Sequence, residues 1–427
     1  MKNFPFRNII FLWLAWALIV IGFQALAAAR LQPQWPDRAQ DWTTTLTGPG
    51  YQQGHVYLLD PFMNAQVAWD SEYYLGIAIG GYNDPHIPFL TRSGVIIPAN
   101  APGTNLNGSY SLSYAFLPFY SWTMWLVAWP LKILGLDPIA TSTLAGVLVS
   151  AFGTLGGMLA LYDLTWESLG EDGAMRAVFY LLIFPTGFFL IQVYTEGLFV
   201  GLAFGCLAML KHRQWIPAAL LGAAATLTRA VGVALVIPMA ITWIRSGEWM
   251  ELDLEWRQIF LQGIPWRTFG KAILAFAPLI AFLAWKFSYL GLAFGYVEAN
   301  YFGRQTLNFG YAFYAWSEAF KSMFIGNPER TAYFITEFIG LIIGIVTCAA
   351  CLRYHPEIAW FSLAVLVISW GSGPAQGIQR YILGAPAVFI MLARWGKNPT
   401  FDRAWTIFSL LLMGLLAMLF AFNYWVA

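Results

Sequence analysis

The chain has 427 residues, 59% of them hydrophobic and 11% charged, with a formal net charge of +1. Soluble domains carry about 25% charged residues, so this composition excludes a soluble globular protein and predicts an all-α polytopic membrane protein. The near-neutral balance excludes a nucleic-acid-binding surface.

The first apolar run, 9–29, follows Lys2 and Arg7 and ends in Ala25-Leu26-Ala27, in the manner of a signal peptide. It is longer than the ~7–15 residues of a cleaved apolar region. It therefore predicts an uncleaved first transmembrane helix, with Lys2 and Arg7 holding its N-terminus in the cytoplasm. A polar loop, 30–111, follows, and a loop of that length is not structureless in a compact protein. It is rich in Trp, Tyr and Pro, and a helix-like run covers 71–79. Interfacial helices on the membrane surface are expected there. The stretch 82–107, rich in Gly, Pro and Asn, reads as ordered loop.

Further apolar segments lie near 112–134, 139–162, 174–191, 195–210, 215–229, 230–244, 268–292, 331–352, 357–371, 379–394 and 403–425. Several fall short of the ~20 residues that cross a bilayer, and the whole predicts one transmembrane domain of about 10–12 helices. The run 215–243 reads either as two helices or as one helix broken around Arg229. The run 180–210 reads as two short helices meeting at Tyr194-Thr195-Glu196. Cys206, Cys348 and Cys351 all sit inside apolar runs and read as small packing residues.

Basic residues set the orientation. Lys211-His212-Arg213, Arg353 with His355, and Arg394 with Lys397 and Arg403 mark cytoplasmic loops. Counting outward from them places Asp70, Glu196, Arg229, the outer loop 293–330 and Arg380 on the non-cytoplasmic face. The same count puts both ends of 112–134 on one side, which predicts a re-entrant or interfacial helix there. Charges at a membrane edge default to functional candidates.

Five segments, taken in order, resemble one family. Trp69-Asp70-Ser71-Glu72-Tyr73-Tyr74-Leu75, running on to Gly80-Gly81-Tyr82, resembles the first-loop motif of the PIG-V family. These are the second mannosyltransferases of GPI-anchor assembly and their bacterial relatives, of the GT-C glycosyltransferase class. Ala115-Phe116-Leu117-Pro118-Phe119-Tyr120 is similar to the family's aromatic-Pro segment. Phe184-Pro185-Thr186-Gly187-Phe188-Phe189, with Val193-Tyr194-Thr195-Glu196-Gly197-Leu198-Phe199, resembles its Pro-aromatic and Tyr-Ser/Thr-Glu-Ser-Leu-Phe segments. Leu227-Thr228-Arg229-Ala230-Val231-Gly232 resembles its Leu-Thr-Arg-Pro-Thr-Gly turn, and Gln379-Arg380-Tyr381 its late Pro-Arg-Tyr helix. Gly197, Ala230 and Gln379 depart from the pattern, standing where the family has Ser, Pro and Pro. The resemblance spans about 60–395.

The resemblance implies a GT-C bundle whose active site faces away from the cytoplasm. It implies transfer of mannose from a polyprenyl-phosphate donor to a lipid-linked or protein-linked acceptor hydroxyl. A bacterial plasma membrane is favoured over the endoplasmic reticulum. Phosphate is a good leaving group, so one base and one or two arginines suffice. Asp70 fits the base, although Asp is also a favoured N-cap for a helix starting at Ser71. Glu72 fits an alternative base, a substrate ligand or a first-turn carboxylate. Trp69, Tyr73 and Tyr74 suit sugar stacking or interface anchoring. Arg380 fits the donor phosphate, with Arg229 second; snorkelling and pairing to Glu196 are the structural alternatives. Tyr194 and Glu196 suit acceptor hydroxyls. Arg304 and Gln305 in the outer loop are further substrate-binding candidates.

No cofactor is expected. His55, Asp60, Asp84 and His86 lack the spacing of a metal site, and a divalent metal stays open. No Gly-rich nucleotide loop occurs, which favours a lipid-phosphate donor over a nucleotide sugar. Three other readings remain: a GT-C enzyme using another polyprenyl-phosphate sugar, a transporter or lipid flippase, and a silent subunit. A flippase would show internal repeats and midplane charges, and no repeat is present.

Overall fold

The computed structural model describes residues 5–48, 54–59, 62–100, 108–246 and 266–426. Asp60, weighed above for metal binding, lies outside them. The chain is a helical, multi-pass membrane protein. Among the described residues, four helices are long and apolar enough to cross a bilayer by length and composition: α1 (Phe6–Arg30), α4 (Pro138–Ile183), α11 (Pro328–Cys351) and α15 (Pro399–Ala421). A fifth arises if α8 (Ala277–Lys286) and α9 (Tyr289–Asn300), bent by 81°, count as one span.

The other apolar segments are cut short by breaks. α5 (Glu196–Lys211), α6 (Trp215–Thr228), α7 (Val236–Arg245), α12 (Pro356–Gly371) and α14 (Pro386–Trp395) each hold 10 to 16 residues. Three of the breaks fall beside polar residues of the motifs. α5 begins at Glu196 and α6 ends at the extended Arg229. Arg380 sits in the four-residue α13 (Ile378–Tyr381), just before α14.

The 215–243 segment is two helices. Arg213, before α6, donates to the Thr242 carbonyl near the end of α7, and Arg245 pairs with Glu357 at the start of α12. The chain thus reverses at Arg229 through a 3-10 turn, Ala230–Leu235. The apolar segments 139–162 and 174–191 are joined in α4, where Gly170 breaks the helix with φ of 72°.

These helices give the bundle two poles. Lys211 and His212 close α5 on Asp163, and His355 before α12 bonds Ser168. Arg394, at the end of α14, lies over the Tyr354 ring at 3.7 Å. Glu196, Arg229, Ser372 and Arg380 occupy the opposite ends of the same helices. The 16 residues of α5 separate the poles by about 24 Å.

Close packing fixes α5 against α4. Gly153 and Gly157 on α4 meet Gly197 and Gly201 on α5, each pair spaced as in G-x-x-x-G, so the two backbones touch. A Cβ at Gly153 would lie 2.5 Å from Leu198 Cα, and one at Gly197 would strike the Ser150 carbonyl. That explains glycine at 197 where the resembled motif has Ser. Burial favours hydrogen bonding of polar side chains, and one cluster inside the bundle shows it. Buried Gln24 of α1 donates to the Ala417 carbonyl of α15 at 3.2 Å and accepts from Gln192 at 3.0 Å and Gln66 at 3.2 Å. Four separate segments are tied together there.

The described residues of the first loop carry regular elements. Its helix α2 (Ser71–Gly80) falls where the sequence predicts it, and residues 71–78 are buried inside the protein, not laid on its surface. The stretch 82–107, read as loop, holds β1 (Phe89–Thr91) and β2 (Ile96–Ile97), which form a small antiparallel sheet with β3 (Ser109–Ser111), in order β2-β1-β3. Phe89 pairs with Ile97 and with Ser111. Strands of two or three residues leave no alternation for a sequence reading to detect. The 112–134 segment contains α3 (Pro118–Leu131), whose 14 residues are too few to cross a bilayer. Trp122, Trp125 and Trp129 are exposed along one stripe of it, which suits an aromatic belt at a membrane interface.

Candidate functional site

Asp70 precedes α2, and its carboxylate makes no capping bond to that helix. Instead Asp70 Oδ2 accepts from Arg380 Nη1 at 3.1 Å. The backbone N–H of Asp70 donates to Tyr194 Oη, also at 3.1 Å. The tertiary fold thus gives the Asp70 carboxylate an arginine partner in place of a helix cap.

Arg380 is buried between two carboxylates. Its Nε lies 3.2 Å from Glu196 Oε1. Arg229 Nη1 donates to that same Glu196 oxygen and to Thr195 Oγ1 at 3.0 Å. Glu196 Oε2 takes no hydrogen bond among the described residues. Aromatic faces carry the cations: Arg229 over Tyr381 at 4.4 Å, Arg380 over Tyr194 at 5.2 Å and Phe189 at 5.5 Å. Two arginines and two carboxylates therefore compensate one another, as a buried charge network must.

A cavity of about 610 Å³ opens onto this network. Trp69, Asp70, Glu72, Tyr73, Tyr74, Arg229, Arg304 and Arg380 all line it. Tyr194 and Glu196 stand behind that lining, bonded to it as described. Gln305 is not brought in: its backbone N–H donates to the Ser372 carbonyl at 2.7 Å and its side chain accepts from Asn308 at 2.6 Å.

Glu72 turns to a different partner. It lies 2.7 Å from His55 Nδ1. Burial pushes the Glu72 carboxyl above its ordinary range, and the His55 hydrogen bond opposes that rise. Asp84 accepts from Tyr57 Oη at 2.6 Å and from the His86 backbone at 2.7 Å, away from the cavity.

Arg304 differs from the other two arginines. It donates to Ser372 Oγ at 3.1 Å and lies over Tyr381 at 5.8 Å, and it forms no ion pair among the described residues. Glu298 lines the cavity nearby. A sequence reading misses Glu298, although a carboxylate at the end of the apolar α9 was the available signal. Tyr301, Phe302, Tyr381, Trp42 and Trp425 also line the cavity unanticipated. Trp425 meets Trp69 and Trp42 edge-on, each with ring centroids 5.0 Å apart.

No family model matches the chain, and no curated protein matches it. Among solved structures, it is similar to ArnT from Cupriavidus metallidurans bound to undecaprenyl phosphate, with 13% identity and a TM-score of 0.41 over 72% of this chain and 61% of that one. It is also similar to the Archaeoglobus fulgidus oligosaccharyltransferase in the apo form, with 14% identity and a TM-score of 0.43 over 96% and 56%. The archaeal oligosaccharyltransferase AglB from Archaeoglobus fulgidus, in complex with an inhibitory peptide and a dolichol-phosphate, gives 15% identity and a TM-score of 0.42 over 97% and 56%. The chain thus spans less than two thirds of the length of these proteins.

Proposed function

We propose that this protein is an inverting glycosyltransferase of the GT-C class. By its five resembling segments, it moves mannose from a polyprenyl phosphate to an acceptor hydroxyl on the non-cytoplasmic face. One observation carries the reading: Asp70, Glu196, Arg229 and Arg380 come from four of those segments and meet in one network at one cavity. The basic pole 24 Å away, at about 1.5 Å per residue of α5, supports a cavity that faces away from the cytoplasm, as the positive-inside rule would have it.

The network suits the chemistry. The acceptor oxygen attacks the anomeric carbon while Asp70 takes its proton. The bond from that carbon to the phosphate oxygen breaks, and its electron pair leaves with the phosphate. Protonation neutralises Asp70, so Arg380 loses one counter-charge as the phosphate gains charge. The guanidinium is then freed for the leaving group in the transition state, where stabilisation counts. Arg229 holds Glu196 in place behind it. Trp69, Tyr73 and Tyr74 line the space a sugar would fill, with Tyr73 stacked on Phe116 at 4.6 Å, and Glu72 is a further carboxylate in that lining. Glu196 and Tyr194 remain near enough to order an acceptor hydroxyl through Asp70 and Arg380.

The test is purified protein in lipid nanodiscs, given polyprenyl-phosphate mannose and a membrane glycolipid extract. Mannose should pass to a lipid or protein acceptor with inversion at the anomeric carbon. Movement of an intact lipid-linked sugar across a vesicle, without transfer, would replace the enzyme by a flippase.

Arg304 refines the donor side. It is the cavity arginine without a carboxylate partner among the described residues, so it offers a bound phosphate its full charge before reaction. A hydrogen bond to a charged group contributes about 1.5–3 kcal/mol. Arg304→Ala should therefore raise donor KM by about 10- to 100-fold and leave kcat nearly unchanged. An unchanged donor KM would remove Arg304 from the phosphate site.

A further inference from the structure

The segment that carries Arg380 is held from below by a carboxylate buried in a membrane-length helix. Glu337 of α11 is fully buried. Its Oε1 accepts from the Gly377 backbone N–H at 2.7 Å, and its Oε2 accepts from the Ile378 N–H at 2.8 Å. Tyr333 Oη donates to Oε1 at 3.0 Å. Gly377 adopts φ of +77°, a conformation glycine reaches without strain, and this turn presents consecutive N–H groups to one carboxylate. One helical turn along α11, a Cβ at Gly340 would sit 3.2 Å from Gln379 Cβ, so α11 and the turn are in close contact. A carboxylate in the apolar interior of a span is costly unless it does specific work. This one contacts no cavity residue of the network, yet it fixes the backbone two and three residues before Arg380.

We propose that Glu337 is the positioning residue of the Arg380 guanidinium. Resting on the transferase reading above, it sets the height of the turn so that Nη1 reaches Asp70 and Nε reaches Glu196 together. The Nη1 hydrogen bond, at 3.1 Å, is near the limit of useful geometry, and the Nε contact, at 3.2 Å, is an ion pair without a hydrogen bond. A small lift of the turn would break one of them, and displacements of about 1 Å at reacting groups cost on the order of 100-fold in rate.

The experiment uses Glu337→Gln, which keeps the shape but replaces one acceptor oxygen by a donor facing a backbone N–H. Two readouts are taken on the full protein in nanodiscs. Hydrogen exchange should rise in the peptide spanning Gly377–Tyr381, and kcat should fall by about 10- to 100-fold with a smaller change in donor KM. In the double variant with Arg380→Lys, the second substitution should cost little beyond the first, because both disturb one element. Gly340→Ala, which presses on the same turn without altering a polar group, should show the same pattern and carries the test if Glu337→Gln fails to fold. Unchanged exchange, or losses that multiply in the double variant, would overturn the proposal. If Arg380→Lys alone leaves transfer unchanged, the reading of the site fails instead; if Arg380→Lys impairs transfer and Glu337→Gln does not, only the positioning role fails.

Discussion

Asp70→Asn should abolish sugar transfer while the protein stays folded. The amide can still accept from Arg380 at the 3.1 Å contact now made by Oδ2, so the local geometry has a substitute. It cannot take the acceptor proton, and it carries no charge to lose when the phosphate departs. Removing a positioned base typically costs about 10²–10⁴-fold in rate. Stability should suffer less than at a sealed ion pair, because the Asp70 side chain keeps 20% of its surface exposed and Arg380 retains Glu196. The measurement is the initial rate at saturating donor, together with the thermal transition of the same preparation. Near-normal turnover would leave Asp70 as a partner of Arg380 only. The base would then be sought at Glu72, whose bond to His55 gives it a proton path of its own.

Much of this site can be read from sequence because charge is scarce in the chain. Arg229, Glu196 and Arg380 each interrupt an apolar run, and an interruption of that kind is costly enough to signal function. Asp70 was ambiguous for a local reason: a carboxylate just before a helix satisfies capping statistics whether or not it caps. Only Arg380, 310 residues further along, resolves it. Trp425 was not legible at all, and Glu337 interrupts the apolar run 331–352 without any sign in the sequence of its partner. The first depends on the Tyr424 carbonyl meeting Trp69 across 355 residues, and the second on a turn that has no helical period. The membrane-length helices α1, α11 and α15 follow directly from hydropathy, whereas the shorter ones do not. Their ends are set by where the network needs backbone to leave the helix, and a hydropathy window averages across such breaks. The small sheet between residues 89 and 111 escaped for the opposite reason, its strands being too short to carry a pattern.

Arg380→Lys should impair transfer although the charge is kept. The guanidinium reaches two carboxylates from different edges, Asp70 through Nη1 at 3.1 Å and Glu196 through Nε at 3.2 Å. A lysine ammonium is a compact point charge and cannot bridge both from the same backbone position. Without the bridge, proton uptake at Asp70 no longer releases a correctly placed donor toward the phosphate. The loss should appear in kcat, by about 10²–10³-fold as for other preorganised charge-stabilising donors, and also in donor KM, since the phosphate is bound before and during bond cleavage. Arg229→Ala gives the contrast. Arg229 spends its hydrogen bonds on Glu196 and Thr195 and lies against the Tyr381 ring, so its removal should loosen Glu196 and leave donor KM less affected. Donor kinetics measured side by side on the two variants separate these roles. If Arg380→Ala leaves donor kinetics intact while Arg229→Ala destroys them, the departing phosphate is met by Arg229, and Arg380 serves only to hold Asp70.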